Sequence, residues 1–96
     1  IDKHIIIGVL VMNKIQLFRS TLEKVCKEEP FKMKVEFSNF RKYKMMYNGC
    51  IPLYIEIKEV IEDIDSIRVE DINIEELENA IRYVVSEKVR NRKPLI

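Results

Sequence analysis

The sequence predicts an α+β domain with two helices packed on one face of a mainly antiparallel sheet. Three observations carry this expectation. Residues 32–37 alternate strictly between apolar and polar, Asn48-Gly49 stands as a turn between two further strand-like runs, and two stretches place apolar residues at helical spacing. The 96 residues amount to one domain, 1–96. Hydrophobic residues make up 47% of the chain, enough for a core and too many for a disordered tail.

Ile5-Ile6-Ile7-Gly8-Val9-Leu10-Val11-Met12 is continuous, largely β-branched and short. It reads as a first strand buried on both faces near the middle of the sheet, with Gly8 marking a close backbone approach. Asn13 then reads as a helix N-cap, with Gln16 placed to reach back to it. Ile15, Phe18, Leu22, Val25 and Cys26 follow on one helical stripe, and Pro30 ends the pattern. Leu17 falls opposite that stripe.

In the next segment Met33, Val35 and Phe37 share one face, and Lys32, Lys34 and Glu36 the other. Residues 41–58 read as a hairpin whose register depends on the loop. A two-residue loop would set lysines among the apolar positions. A three-residue loop, Asn48-Gly49-Cys50, pairs Tyr47 with Ile51, Met45 with Leu53 and Tyr43 with Ile55. Burying lysine is costly, so the three-residue loop is expected. It leaves Lys42, Lys44, Met46, Tyr54, Glu56 and Lys58 on the outer face.

The acidic segment 59–71 is irregular, with a short extended piece at 67–69. Asn73 caps a second helix, Glu76 takes the capping-box position, and Leu77, Ile81, Val84, Val85 and Val89 form its stripe to near Arg90. Pro94-Leu95-Ile96 starts a last strand. The expected order is β-α-β-β-(β)-α, which with that strand matches a ferredoxin-like split βαβ arrangement. Architecture of this kind licenses no function.

The net charge of +1 gives no global field toward nucleic acid or membrane. The charge is segregated, however. Residues 1–50 carry ten Lys/Arg against five Asp/Glu, residues 51–81 two against ten, and residues 82–96 five against one. Such blocks suit self-association or a polar partner. The eight-residue apolar run is too short to span a bilayer, and no membrane role is expected. Cys26 and Cys50 are too few for a disulfide scaffold or a zinc site. Both read as small, mostly buried hydrophobes of a reducing, cytoplasmic compartment. A first residue of Ile1 rather than Met fits a processed chain or a domain cut from a longer protein.

Chemistry is thinly represented. His4 is the single histidine, and on an extended strand it would share a face with Asp2, though it reads better as a surface residue. Cys50 follows a turn glycine with no histidine nearby in sequence. Glu59, Glu62, Asp63, Asp65, Glu70 and Asp71 supply oxygens for a hard cation but fail the calcium-loop pattern, with Ile64 at a ligand spacing and no turn glycine. Phosphate loops and zinc-protease motifs are lacking. The expectation is no catalytic residue, no metal and no cofactor.

Two binding readings follow. The leading one is a non-catalytic interaction or oligomerisation domain, joined to a second copy or to a flanking domain. It buries the apolar face of the first strand, Ile5, Ile7, Val9 and Val11, with Leu17, against that protein partner. The alternative is a single-stranded RNA or DNA binder using a basic sheet face with Lys32, Lys34, Lys42, Lys44 and Tyr54, where lysines meet phosphates and an aromatic ring stacks on a base.

Overall fold

The computed structural model describes residues 3–39 and 41–92; for residues 3–13 and for Phe37 the description is of the backbone alone. Helix α1 (Lys3–Lys27) is followed by strands β1 (Lys34–Asn39), β2 (Lys42–Tyr47) and β3 (Ile51–Glu56). A one-turn helix α2 (Ile57–Val60), a 3-10 turn (Val69–Asp71) and helix α3 (Ile74–Arg90) complete the chain. The α+β class with helices on one side of an antiparallel sheet holds. Among the described residues the sheet is a three-stranded meander, β1-β2-β3. The expected last strand at Pro94-Leu95-Ile96 lies outside the described residues.

The expected first strand is corrected. Residues 5–12 belong to α1, which runs unbroken through Asn13, so Asn13 is an interior helical residue and not a cap. A short apolar run cannot be assigned by periodicity alone. Nothing between Met12 and the stripe beginning at Ile15 breaks a helix, so the helix formed by that stripe extends backward through the run. The split βαβ order needs a strand where α1 stands. The remaining order is α-β-β-β followed by helices.

The hairpin register agrees with the three-residue loop. Tyr47 faces Ile51, Met45 faces Leu53 and Tyr43 faces Ile55. Asn48 and Gly49 both have positive φ, 54° and 77°, and the Cys50 amide donates to the Tyr47 carbonyl at 3.2 Å. Asn and Gly are the residues that tolerate this left-handed pair. The Ile57 amide bonds the Arg41 carbonyl at 3.1 Å, which sets the phase of the β2–β3 ladder. By antiparallel alternation Tyr43, Met45 and Tyr47 exchange bonds with β3, and the backbone of Pro52, Tyr54 and Glu56 faces away from β2. Pro52, which has no N–H, thus stands where the ladder asks for none.

The core lies between the inner sheet face and the two long helices. Phe18, Leu22, Val25 and Cys26 of α1 meet Tyr43, Met45, Leu53 and Ile55 of the sheet and Leu77, Ile81 and Val85 of α3. Phe18 and Tyr43 stack with ring centroids 5.8 Å apart. Burial at this junction pushes the Tyr43 hydroxyl pKa above its ordinary value. Asn73 caps α3 as expected, its side chain accepting from the Glu76 amide at 3.0 Å.

Candidate interaction surfaces

The position of α1 relative to the sheet defines the first surface. At its end, the Met33 amide donates to the Cys26 carbonyl at 2.7 Å, so α1 finishes where β1 begins. Near its middle, the Lys14 ammonium donates to the carbonyls of Ile64 and Ile67 at 2.8 and 3.0 Å. Arg41, in the turn between β1 and β2, reaches Asp65 of the same segment at 2.6 Å. Lys14 therefore sits at the far end of the sheet. Residues 14–27 rise about 21 Å, close to the length of a six-residue strand. Residues 3–13 carry the helix about 16 Å beyond that end. The molecule measures 54 Å along its longest axis against 22 and 21 Å across.

The two halves of α1 differ in sequence as well as place. From Ile15 onward the buried residues recur on one stripe, while Gln16, Arg19, Ser20, Lys24 and Lys27 are exposed. From Ile5 to Met12 no polar residue occurs, so the sequence offers no polar stripe at helical spacing. The expected interface residues Ile5, Ile7, Val9 and Val11 all fall in this leading half, and their side chains lie outside the described ones. Leu17 is half-buried, and with Gln16, Ser20 and Val69 it lines a shallow hollow at the foot of the leading half.

The same foot is acidic. Glu62, Asp63, Asp65, Glu70 and Asp71 are exposed around it. Asp65 pairs with Arg41, and Glu70 pairs with Arg68. The Glu70 carboxyl is held below the usual carboxylate range, first by its own backbone amide and then by Arg68. No three acidic, histidine or cysteine groups converge as a metal site among the described residues.

The outer sheet face brings together Lys34, Lys42, Lys44 and Tyr54, four of the five residues expected there. Lys44 stands between Glu36 and Tyr54 in register, and its ammonium lies 3.4 Å from the Glu36 carboxylate. The Lys42 ammonium lies 5.1 Å from the Tyr54 ring centroid. Lys32 is corrected: it precedes β1, has a positive φ of 46°, and pairs with Glu29 at 2.7 Å. The chain must turn sharply between Pro30 and Met33, and the left-handed residue at 32 makes that turn. Glu36 and Glu56 interrupt the basic face.

A groove of about 650 Å³ that sequence reasoning missed runs between β3 and α3, lined by Pro52, Leu53, Tyr54, Tyr83, Val84 and Arg92 among others. Tyr83 is 67% exposed. An aromatic residue off the apolar stripe of its helix was the available signal. Arg92 closes one end, its guanidinium 4.5 Å from the Tyr47 ring centroid.

The nucleophile candidates separate. Cys50 is exposed at the third loop position, correcting the expectation that both thiols are buried. A residue added beside a left-handed turn projects from the hairpin tip and has no core to enter. Cys26 is buried, and desolvation, with a smaller push from Glu23, raises its pKa to about 12. His4 lies in α1 and not on a strand, and the Asp2 with which an extended start would pair it lies outside the described residues. Compared with family models, with curated proteins and with solved structures, the chain matches none.

Proposed function

We propose that the chain is a non-catalytic docking domain whose contact element is the leading half of α1, residues 3–13. One observation carries the reading: the helix continues about 16 Å past the sheet, and residues 5–12 of that stretch include no polar residue. A helix of that composition is stable in water only where something covers it. The acidic foot favours a protein over a membrane as the cover, because an anionic bilayer surface repels it. The apolar stretch, eight residues, is also well short of a spanning length, and no helix among the described residues is long and apolar enough to cross a membrane.

The test compares the full chain with one that starts at Asn13. Both should melt alike, since core packing begins at Ile15 and Phe18, and the shortened chain should lose only the helical circular dichroism of the residues removed. The full chain should associate with protein in light scattering and bind an apolar dye when dilute, and the shortened chain should do neither. Sedimentation of the full chain with anionic vesicles would replace the protein partner by a bilayer. Identical monomeric, dye-free behaviour of both chains would remove the docking reading.

A second reading rests on the outer sheet face, where Lys42 and Lys44 of β2 flank Tyr54 and Lys34 lies on the far strand β1. It treats this face as a site for single-stranded nucleic acid, with Tyr54 stacking on a base. Fluorescence anisotropy with labelled oligonucleotides should then show binding that strengthens as salt falls. A flat titration at low salt rejects it.

A further inference from the structure

We infer that the groove between β3 and α3 is a separate docking site, one that takes the extended C-terminal end of a partner protein. It lies apart from α1's leading half and does not depend on that reading. Among the described residues β3 is an edge strand of the sheet. The backbone of Pro52 and Tyr54 turns away from β2, and both residues line the groove. Among the described residues no hydrogen bond reaches the Pro52 carbonyl or either backbone group of Tyr54. An unpaired edge beside a helix is matched by an extended chain, whose own amides and carbonyls continue the ladder. On the other wall Val84 and the exposed Tyr83 give an apolar seat.

The charge of the groove selects the end and the direction of its occupant. Glu59, Glu87, Lys88 and Arg92 are its charged lining residues. Glu59 pairs with Lys88 and Glu87 with Arg90, each at 3.0 Å. Arg92 has no carboxylate partner among the described residues; its guanidinium lies over the Tyr47 ring and donates to the Val89 carbonyl. The uncompensated charge is thus positive, and it stands beside Tyr47, which faces Ile51 at the start of β3. A chain paired antiparallel with β3 runs toward that start. Its residue opposite Tyr54 exchanges two bonds with Tyr54, and the amide two residues later donates to the Pro52 carbonyl. Pro52 has no N–H to return. The carboxylate of that last residue is therefore left for Arg92, whose guanidinium has donors to spare. The residue between falls opposite Leu53 and faces Tyr83 and Val84, a position for an apolar side chain.

The probe is a labelled hexapeptide of alternating threonine and valine, with valine before a terminal threonine and either a free or an amidated C-terminus. In fluorescence anisotropy with the full chain, the free acid should bind about tenfold or more tighter than the amide. Arg92→Gln should erase that difference, and Tyr83→Ser should weaken binding of the acid, both with unchanged melting. Hydrogen exchange at the Tyr54 amide should slow when the acid binds. Failure to bind either peptide, or equal binding of acid and amide, overturns the inference. Unchanged exchange at Tyr54 overturns the edge pairing. If a chain ended at Arg92 binds the acid and the full chain does not, residues 93–96 are the occupant in place of a partner. A chain starting at Asn13 should bind the acid as the full chain does, and a loss of binding there would overturn the separation of this groove from α1's leading half.

Discussion

The two halves of α1 follow the same backbone geometry and opposite sequence rules. In residues 14–27 burial and exposure alternate with the helical period, and the buried apolar positions Phe18, Leu22, Val25 and Cys26 join the core formed with the sheet and α3. In residues 5–12 there is no period at all. A periodic half reports a body on one side and water on the other. A uniformly apolar half has no such sidedness. On the proposed docking reading, packing within the chain gives way to packing against a partner near Lys14, whose ammonium ties α1 to the carbonyls of Ile64 and Ile67.

The sharpest way to break this comparison is to truncate one side chain in each half. Phe18 is fully buried and stacks on Tyr43, so Phe18→Ala should cost about 3–5 kcal/mol in urea unfolding. Ile7→Ala, made in the dilute chain, should change stability by less than about 0.5 kcal/mol, as for a residue outside the body. Equal losses at the two positions would mean that both halves pack within one copy, and the boundary at Lys14 would disappear.

Lys14 itself is the next position. It holds two carbonyls of the acidic segment, and its removal leaves both without that charged donor. Hydrogen bonds to a charged group contribute about 1.5–3 kcal/mol where solvent is largely excluded. Lys14 is only partly buried, so Lys14→Met should cost on the order of 1–2 kcal/mol in the same assay. Hydrogen exchange should also rise in residues 61–72, because the segment loses its tie to α1. A loss of stability with unchanged exchange there would place the role of Lys14 elsewhere.

Much of the body was legible and the leading half was not, for one physical reason. Alternation in 33–37, the Asn48-Gly49 turn and the Asn73 cap are local signals whose meaning does not depend on the rest of the chain, and each predicted its element. The hairpin register followed from the cost of burying Lys42 and Lys44. The run Ile5–Met12 has no such signal, because a strand buried on two faces and a helix covered all round have the same composition. What decides between them is the continuity with the helix from Ile15, which outweighs the β-branched bias. The candidate sites inherit this. Ile5, Ile7, Val9 and Val11 were chosen as one strand face, a grouping that a helix does not preserve, whereas Lys34, Lys42, Lys44 and Tyr54 do share a face because their strands were read in register. Lys32 dropped out because a left-handed turn begins where the alternation was still being counted.

Cys26 and Cys50 extend the comparison from side-chain packing to reactivity. Cys26 lies on the buried stripe of α1 and Cys50 on the exposed hairpin tip. In native conditions one thiol per chain should react with a bulky disulfide reagent, and the second only after unfolding. The folded pKa of Cys26, about 12, lies above the unfolded value near 9. Its contribution is therefore complete below about pH 9 and is lost as pH climbs toward 12, with a slope of at most about 1.4 kcal/mol per pH unit. Cys26→Ala should flatten the alkaline limb of stability relative to the parent. An unchanged limb would mean that the thiol is not desolvated in solution.

The smallest expected effect lies just past the C-terminal end of α1. Arg82 of α3 donates from Nε and Nη2 to the two carboxylate oxygens of Glu28, at 3.1 and 3.0 Å. This fork joins residues 54 positions apart, yet both side chains are about one-third exposed, so water screens the pair. The hydrogen bond from Arg82, more than its charge alone, holds the Glu28 carboxyl below the usual range. A depressed carboxylate stabilises above its unfolded pKa, about 4.3, and that contribution is lost as pH falls through the lower folded value. Glu28→Gln removes the titration, so parent and variant should differ slightly at neutral pH and converge in acid. A gap that stays constant with pH would mean that Glu28 acts through packing alone. The fork would then be a consequence of how α1 ends against α3, and the tie at Lys14 would be left as the main polar determinant of where α1 joins the body.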